Sequence, residues 1–455
     1  MRGAGKAGPA PTTSHTPGPV HTCPNMCERA RGCVTSRSTG DGRNPPESGP
    51  AHRSTGGMTE TSTRGRLGVL AITLGIFAVV TTEILPIGLL VPIGRTFDVT
   101  DGTAGLTMFL PGLLAAVAAP LVTVAVGRAD RRRVLLALVA LLVIANALAA
   151  LAPGFAAVLV SRVLLGLVIG GFWAVAVGLA PQLVAPREVA RATAVIFAAV
   201  PLGSVLGVPA GTLIATVWGW RAAFVALAVL ALVVLLMLVA LPALPPGRPT
   251  SAATLLAVAR RRPSRAALAV TVLVVVAHFG TYTYVTPFLE QVTHAGPSVV
   301  TVFLLVYGAA GIVGTALAAR RAGPAAFGTA AALLAAVTVL LPLLGGTAPG
   351  ALVLLVVWGV AYGAVPVCSQ AWFAAAAPDA PEAASVLFTA SFQATIALGA
   401  IAGGAVLDAT SPAVLMPLGG AVAAAALLLV VVVSPPRRVG ELQHRGGHRS
   451  VRAGG

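Results

Sequence analysis

The stretch AAFVALAVLALVVLLMLVAL, residues 222–241, is an unbroken run of apolar residues without a charge. A helix of about 20 such residues crosses the hydrocarbon core of a bilayer, which is about 30 Å thick. A membrane β-barrel would instead need segments of about 10 residues in which apolar and polar side chains alternate. Residues 222–241 do not alternate, so the stretch predicts a membrane-spanning helix.

Similar runs fill most of the 455-residue chain, in which 57% of the residues are hydrophobic and 10% are charged. Soluble domains use about 25% charged residues to cover their surface. We therefore predict an all-α membrane protein with twelve transmembrane helices, most of whose surface contacts lipid. The predicted spans are 67–91, 103–126, 134–152, 155–180, 192–217, 221–241, 266–290, 298–319, 324–345, 349–376, 384–407 and 412–434.

The net charge of +16 comes almost entirely from arginine. The arginines lie between the apolar runs and form no basic patch on a folded face, which argues against a nucleic-acid-binding protein. In a twelve-span arrangement, nearly all of them fall at the end that carries both termini and the loops after even-numbered spans. Because arginine and lysine concentrate on the cytoplasmic side, we expect both termini and the central loop to be cytoplasmic.

Residues 1–57 are rich in Pro, Gly, Ser, Thr and Arg, a composition typical of a disordered tail. We expect the natural chain to begin at Met58, with the upstream stretch an over-extended gene start. The tail cysteines Cys23, Cys27 and Cys33 fit no common zinc spacing. We therefore predict no metal site and no cofactor.

Span 5 and span 11 resemble each other, which indicates an internal repeat. Both place small residues four apart, at Gly203, Gly207 and Gly211 in span 5 and at Gly399 and Gly403 in span 11. Such repeats are typical of secondary transporters, whose substrate site lies between the repeats near mid-membrane. The predicted parts are an N-terminal six-helix half at 58–241, a central cytoplasmic loop at 242–265, a C-terminal six-helix half at 266–434 and a cytoplasmic tail at 435–455.

Glu83 and Arg162 are charged residues inside predicted spans, in TTEILPIGLL and LVSRVLLGLVIGG. A carboxylate at mid-membrane costs about 2.5–3.5 kcal/mol even on the lenient insertion scale, so intramembrane acids are usually functional. We expect Glu83 to load and release a proton, and Arg162 to face a cavity and couple electrostatically to it. A structural hydrogen bond at Glu83, or an Arg162 that extends to the membrane surface, is the alternative.

Aromatic and amide side chains in the spans are candidates for the wall of a substrate cavity, because stacking rings with a few amides suit small molecules. Packing or contact with lipid is the alternative for each of them. The candidates are Phe172, Trp173, Tyr282, Tyr284, Gln370, Trp372 and Gln393. His278 is a weaker candidate for handling protons, and packing is the favoured role for it. No phosphate-binding loop signature is present.

Six pieces of the chain resemble the major facilitator superfamily in its twelve-span drug:proton antiporter subgroup, and within it the sugar and arabinose efflux permeases. The pieces are TTEILPIGLL at 81–90, DRRRVLL at 130–136, SRVLLG at 161–166, GVPAG at 207–211, WGWRAAF at 218–224 and TYVTPFLEQV at 283–292. The resemblance covers residues 67–434. It implies two pseudo-symmetric six-helix halves, the major facilitator fold, and export by alternating access driven by proton entry.

The same resemblance assigns roles to particular residues. It implies that Glu83 and Arg162 match the family's acid in span 1 and arginine in span 4. It also implies gating by the loop after span 2 and by the kinked span 5. The gating residues are Asp130, Arg131, Arg132 and Arg133, together with Gly203, Gly207, Pro209 and Gly211. In that loop Gly127 stands where the family places an acid, and Asp130 stands where it places a glycine.

The predicted function is a proton-coupled antiporter that exports sugars or drugs across the inner membrane. The chain is expected to be a monomer in lipid that binds a small molecule and protons and no nucleic acid, and it is not expected to be an enzyme. A proton-coupled importer and a non-transporting membrane sensor are the alternatives.

Overall fold

The computed structural model of the protein describes residues 56–126, 129–176, 179–244, 251–321 and 323–433, without the side chains of 56–62 and 190. Met58 falls within this part of the chain, in the first helix. The expectations for the tail cysteines, for Gly127 and for the tail at 435–455 lie outside it.

The described residues form helices and no strands, and twelve helical segments are long and apolar enough to cross a membrane. This confirms the predicted class and the predicted number of spans. We keep the names span 1 to span 12 for Thr63–Phe97, Asp101–Ala125, Arg131–Ala150, Phe155–Ala176, Pro186–Trp218, Trp220–Val239, Arg262–Gln291, Pro297–Arg320, Pro324–Leu344, Ala348–Ala376, Pro381–Ala409 and Pro412–Val433.

Most spans are single α-helices, and four have more detail. The helix of span 1 runs over Gly56–Phe97, and span 2 consists of Asp101–Ala104 and Leu106–Ala125. Span 7 is interrupted between its helices Arg262–Tyr282 and Val285–Gln291. Span 5 contains a 3-10 turn at Pro186–Glu188, the helices Val189–Leu202 and Val208–Trp218, and a π-helical turn between them at Gly203–Gly207. Two short helices, Ala180–Leu183 and Ala252–Arg260, lie outside the spans.

The wide π-helical turn in span 5 has a cause in the sequence. Pro209 has no backbone N–H, so the carbonyl of Val205 loses its usual partner four residues later. A π-helical turn shifts the hydrogen-bond pattern by one residue and absorbs that loss. The helix therefore continues through Pro209 after the π-helical turn.

The apolar core has one large part in each half of the chain, and the part in the C half also takes in Ile87, Met108 and Val208 of the N half. In the N half (spans 1–6) the core is built around residues such as Ile72, Val139 and Ile169. In the C half (spans 7–12) it is built around residues such as Phe288, Leu334 and Trp358. The outer faces of the spans carry exposed apolar side chains, which is the arrangement of a surface that contacts lipid.

Candidate functional site

Glu83 lies deep in the bundle, where the two halves meet, and is 7% exposed. The amide of Gln393, from span 11 in the C half, lies near its carboxyl group. Tyr362 of span 10 lies within electrostatic range of the same carboxyl group. Two groups of the opposite half therefore face the acid that the sequence singled out.

One hydrogen-bonding atom of the Gln393 side chain has no partner. The side chain is 5% exposed, and its Oε1 atom is buried without a hydrogen-bond partner. A buried acceptor without a partner costs about 1–3 kcal/mol. The Oε1 atom of Gln393 is therefore an unsatisfied acceptor near Glu83 in this conformation.

Arg162 is fully buried and does not extend to the membrane surface. Its Nη1 atom donates to the backbone carbonyl of Thr82 at 3.0 Å, its Nε atom donates to Ser161, and its guanidinium lies over the ring of Phe224. The described part of the chain contains no ion pair between Arg162 and Glu83. The arginine instead holds the backbone of span 1 one residue before the acid, while its Nη2 atom has no partner.

Asn146 of span 3 is a buried polar residue that the sequence analysis missed. Its amide donates to the Thr82 hydroxyl at 3.2 Å and to the Leu142 carbonyl at 3.0 Å. Together with Arg162, it fixes Thr82 from two neighbouring spans. The sequence feature that could have identified Asn146 is an amide inside an apolar span, because a buried polar group needs a hydrogen-bond partner.

Six aromatic rings from spans 7, 8 and 10 pack together in the C half near Glu83, and we call them the aromatic cluster. They are His278, Phe279, Tyr282, Tyr307, Trp358 and Tyr362. Tyr282 was predicted as a cavity residue, whereas Tyr307, Trp358 and Tyr362 were missed. The sequence feature that could have identified these three residues is the presence of aromatic side chains within spans 8 and 10.

His278 is the centre of this cluster. Its ring stacks on Tyr362, with a centroid distance of 3.4 Å, and its Nδ1 atom accepts a hydrogen bond of 3.0 Å from the Trp358 indole. A nitrogen that accepts from an indole carries no proton, so this bond favours the neutral ring. The contacts agree with the packing role favoured for His278.

The remaining cavity candidates lie in other surroundings. Phe172 packs on span 1 at Gly75, and Trp173 packs against the core of the N half. Trp372 contacts Phe327 of span 9, and Gln370 is exposed. Of the seven predicted cavity residues, the structure thus brings Gln393 and Tyr282 close to Glu83 or to the aromatic cluster beside it.

Comparison with known proteins identifies the family. The model of the Major Facilitator Superfamily matches residues 72–386. This chain belongs to the Major Facilitator Superfamily. It is a multi-pass membrane transporter and not an enzyme.

The relatives of this superfamily member include two named transporters and one named regulatory protein. It is 36% identical to the transcription regulatory protein OpdE of Pseudomonas aeruginosa, over 75% of this chain and 87% of that protein. It is 34% identical to the inner membrane transport protein YdhP of Escherichia coli K12, over 78% and 92%. It is 30% identical to the purine ribonucleoside efflux pump NepI of Escherichia coli K12, over 76% and 89%.

The fold of the transporter also matches solved structures. A bacterial homologue of the human lysosomal transporter Spinster, in an inward-facing and occupied conformation, superposes with a TM-score of 0.63. The match covers 80% of this chain and 94% of that chain at 17% sequence identity. At this identity the likeness establishes the fold alone.

The loop after span 2, predicted to act in gating, contacts the end of span 6. The Asp130 carboxylate accepts hydrogen bonds from the backbone N–H groups of Arg132 and Leu244, at 2.9 and 3.2 Å. Arg132 also donates from Nε to the Leu238 carbonyl at 3.1 Å. Arg131 lies within electrostatic range of Glu382 at the start of span 11. Arg133 lies 4.0 Å from Asp130. The loop therefore caps span 3 and ties it to span 6.

The small residues of span 5 allow a close approach to span 1. A side chain at Gly203, Gly207 or Gly211 would meet Val80, Thr81 or Leu85. Pro209 follows the π-helical turn and is buried. Small residues let transmembrane helices approach closely. Span 5 therefore packs directly on the segment of span 1 that carries Glu83.

The two halves are joined at the end of the transporter that carries the loops after odd-numbered spans, which we call the odd-loop end. Asp408 accepts hydrogen bonds from the Thr100 hydroxyl and the Gly102 backbone N–H, and Arg95 pairs with Glu290 at 3.3 Å. Tyr284, a predicted cavity residue, is fully buried here and packs against Gly105 of the other half. Its hydroxyl donates to the Ala400 carbonyl at 2.6 Å. The odd-loop end is closed in this conformation.

Proposed function

We propose that this transporter is a proton-coupled antiporter that exports small molecules across the inner membrane by alternating access. The observation that carries the proposal is the position of Glu83, a carboxyl group buried where the halves meet, near Gln393 of the C half. Intramembrane acids of this kind mark proton pathways. A change in the charge of Glu83 changes the contact between the halves.

The proposed cycle uses one acid for both directions of transport. In the conformation closed at the odd-loop end, Glu83 releases its proton toward the cytoplasm and the substrate binds. After the halves rock, Glu83 takes up a proton from the outside and the substrate leaves. The orientation comes from the arginine-rich loops, which lie at the opposite end from the contacts of Asp408 and Glu290.

Three substrate classes have support. Sugars and drugs follow from the resemblance of the sequence motifs. Purine ribonucleosides follow from the name of the relative NepI, which is 30% identical to this chain. The aromatic cluster and the amide of Gln393 are compatible with a planar, polar molecule.

A non-transporting sensor is a second candidate, because the relative OpdE carries the name of a transcription regulatory protein. A sensor of this kind predicts ligand-dependent gene expression without movement of the ligand across the membrane. A transport assay therefore separates the two candidates directly.

Inverted membrane vesicles from a pump-deficient host test the proposal. Vesicles with an acidified lumen are expected to accumulate a sugar, an antibiotic or a purine ribonucleoside from a panel of these classes. Glu83→Gln is expected to abolish the proton-driven accumulation, and Arg162→Lys to reduce it. Glu188→Gln, which removes an acid from the 3-10 turn at the start of span 5, is the matched control.

Three results would overturn the proposal. Accumulation that needs an alkaline lumen would support an importer. No accumulation of any panel member would support a sensor. If proton-driven accumulation persists in both Glu83→Gln and Arg162→Lys, these residues do not couple proton movement to transport.

A further inference from the structure

Two arginines at the start of span 7 stand at the head of an apolar groove on the outside of the helix. The groove has a volume of about 520 Å³ and runs along span 7 from Arg262 and Arg265 to Val272. Its other lining residues are Ala266, Leu268 and Ala269. None of these six side chains belongs to the buried face of the helix. The groove therefore opens toward the surroundings of the bundle and not toward its interior.

Small side chains form the floor of this groove. Residues four apart lie above one another on a helix, so Arg262 stands over Ala266 and Arg265 stands over Ala269. The short alanines leave room directly below the two guanidinium groups. From Arg265 to Val272 the helix rises about 10 Å. The groove is therefore long enough to hold part of a hydrocarbon chain.

The two arginines differ from their neighbour Arg261 in how the structure uses their charge. Both guanidinium ends of Arg261 donate to Asp379. The side chains of Arg262 and Arg265 are exposed and have no hydrogen bond or ion pair to any residue that the structure describes. Their charges are therefore available to a ligand outside the bundle.

The chemistry of the groove selects an anion that carries a hydrocarbon tail. Guanidinium groups bind phosphate through paired, charge-assisted hydrogen bonds. The positive end of the helix dipole also favours an anion at the start of span 7, where no side chain caps the helix. A free phosphate ion would leave the apolar floor of the groove unused. A phospholipid matches both parts, because its phosphate and its acyl chains are joined end to end.

We propose that this groove binds one anionic phospholipid, with its phosphate between Arg262 and Arg265 and an acyl chain along the alanines below them. Basic pockets at the ends of membrane spans are suited to such headgroups. A phosphatidylcholine headgroup carries a positive charge that the two arginines repel. The site therefore prefers a headgroup with a net negative charge, such as that of phosphatidylglycerol. It lies outside the proposed transport site and does not depend on it.

The bound lipid stabilises the C half. Arg261 ties the start of span 7 to the turn between spans 10 and 11 through Asp379. A lipid that holds Arg262 and Arg265 fixes the same start of span 7 from the membrane side. A ligand that binds the folded state alone raises the melting temperature. Phosphatidylglycerol is therefore expected to raise the melting temperature of the transporter more than phosphatidylcholine does.

Native mass spectrometry of the purified, full-length transporter tests the proposal, with phosphatidylglycerol and phosphatidylcholine as probes. The wild type is expected to retain one phosphatidylglycerol in preference to phosphatidylcholine. The double variant Arg262→Gln/Arg265→Gln is expected to bind phosphatidylglycerol roughly thirtyfold more weakly, about a factor of five for each arginine. Arg320→Gln/Arg321→Gln, which removes two exposed arginines at the same end of the bundle, is the matched control. It is expected to bind as the wild type does.

Ala269→Leu tests the groove separately from the charges, because it fills the floor and keeps both arginines. It is expected to weaken binding of phosphatidylglycerol, whereas Ala316→Leu, the same change on an exposed face of span 8, is expected to have no effect. Inorganic phosphate at the same concentration is expected to compete poorly with the lipid. Phosphate that displaces the lipid equally well in the wild type and in Ala269→Leu would show an ion site and overturn the proposal.

Three further results would overturn the proposal. Equal losses in the two double arginine variants would show a general attraction to the basic end of the bundle. A dimer that Ala269→Leu dissociates would show that a second copy of the chain covers the groove. Equal retention of the two lipids by the wild type would remove the selectivity, and this measurement needs no variant to fold. The melting temperature of each variant in phosphatidylcholine, expected to equal that of the wild type, checks its fold.

Discussion

The Asp408 carboxylate in span 11 accepts a hydrogen bond of 2.7 Å from the hydroxyl of Thr100, which precedes span 2 in the other half. A second bond of 2.9 Å reaches the same carboxylate from the backbone N–H of Gly102. Hydrogen bonds to charged groups are stronger than those between neutral groups. Asp408 is therefore a latch that stabilises the closed odd-loop end.

Asp408→Asn is expected to weaken this latch, because the amide lacks the charge and can accept at one of its two ends only. The expected loss is about 1.5 kcal/mol, which is roughly a tenfold shift toward the conformation open at the odd-loop end. Distances between spin labels on the loops of spans 1 and 11 measure this shift. Asp98→Asn, which removes a charge at the same end, is the control. Equal shifts in the two variants would mean that net charge, and not the latch, sets the equilibrium.

Gly105→Ala is expected to prevent full closure of the odd-loop end. A Cβ atom at residue 105 would collide with the hydroxyl of Tyr284 from the other half. Overpacking of this kind costs about 1–3 kcal/mol. Modification of a cysteine introduced at the odd-loop end by a polar thiol reagent reports the opening.

The matched controls for Gly105 are one neutral site and one compensating change. Gly154→Ala meets nothing within 4 Å and is expected to leave reactivity unchanged. Adding Tyr284→Phe to Gly105→Ala removes the colliding oxygen atom and is expected to restore part of the closure. No recovery in the double variant would show that the alanine acts elsewhere.

Gly207→Ala is expected to destabilise the N half, because its new methyl group would collide with the side chain of Thr81 in span 1. The expected loss of stability is about 1–3 kcal/mol. The hydroxyl of Thr81 is buried without a hydrogen-bond partner. Thr81→Ala therefore makes room at little cost, and the double variant is expected to recover stability.

Thermal unfolding in detergent measures both Gly207 variants. Gly346→Ala, with nothing within 4 Å of the added atom, is expected to unfold at the wild-type temperature. A double variant that is no more stable than Gly207→Ala would place the collision at a residue other than Thr81.

Asp379, in the turn between spans 10 and 11, pairs with Arg261 at the start of span 7. Both guanidinium ends donate to the carboxylate, at 2.6 and 2.8 Å. These hydrogen bonds lower the pKa of Asp379 from 3.8 to about 2. A carboxyl group with a lowered pKa stabilises the fold above its unfolded pKa and loses that contribution as the pH falls through the folded value.

The pair is therefore intact throughout the physiological range. Asp379→Asn is expected to leave the pH profile of transport between pH 5 and pH 8 unchanged, whereas Glu83→Gln is expected to remove its pH dependence. Because the pair is exposed, the melting temperature is expected to change little. If the pH profile of transport shifts in Asp379→Asn, part of the pH dependence of transport arises from this turn.

The helical spans were predictable because each depends on a local property, the length of an apolar run. The predicted helices differ from the structure where the local sequence pattern does not determine the backbone. Span 7 was predicted as unbroken, but it is interrupted at Thr283 and Tyr284, where the Tyr284 side chain packs between the halves. The apolar periodicity of a sequence does not indicate such contacts between distant helices.

The sequence alone determined which residues have a high free-energy cost of burial in the membrane. Glu83 and Arg162 stand out in any reading of the sequence, because a charge in an apolar span needs a reason. The tertiary structure alone decided their partners. Arg162 holds the carbonyl of Thr82, Gln393 comes to Glu83 from a helix 310 residues later, and Tyr307, Trp358 and Tyr362 gather around His278. Local sequence sets the cost of burying a polar group, but only the packing of distant helices supplies the atoms that offset it.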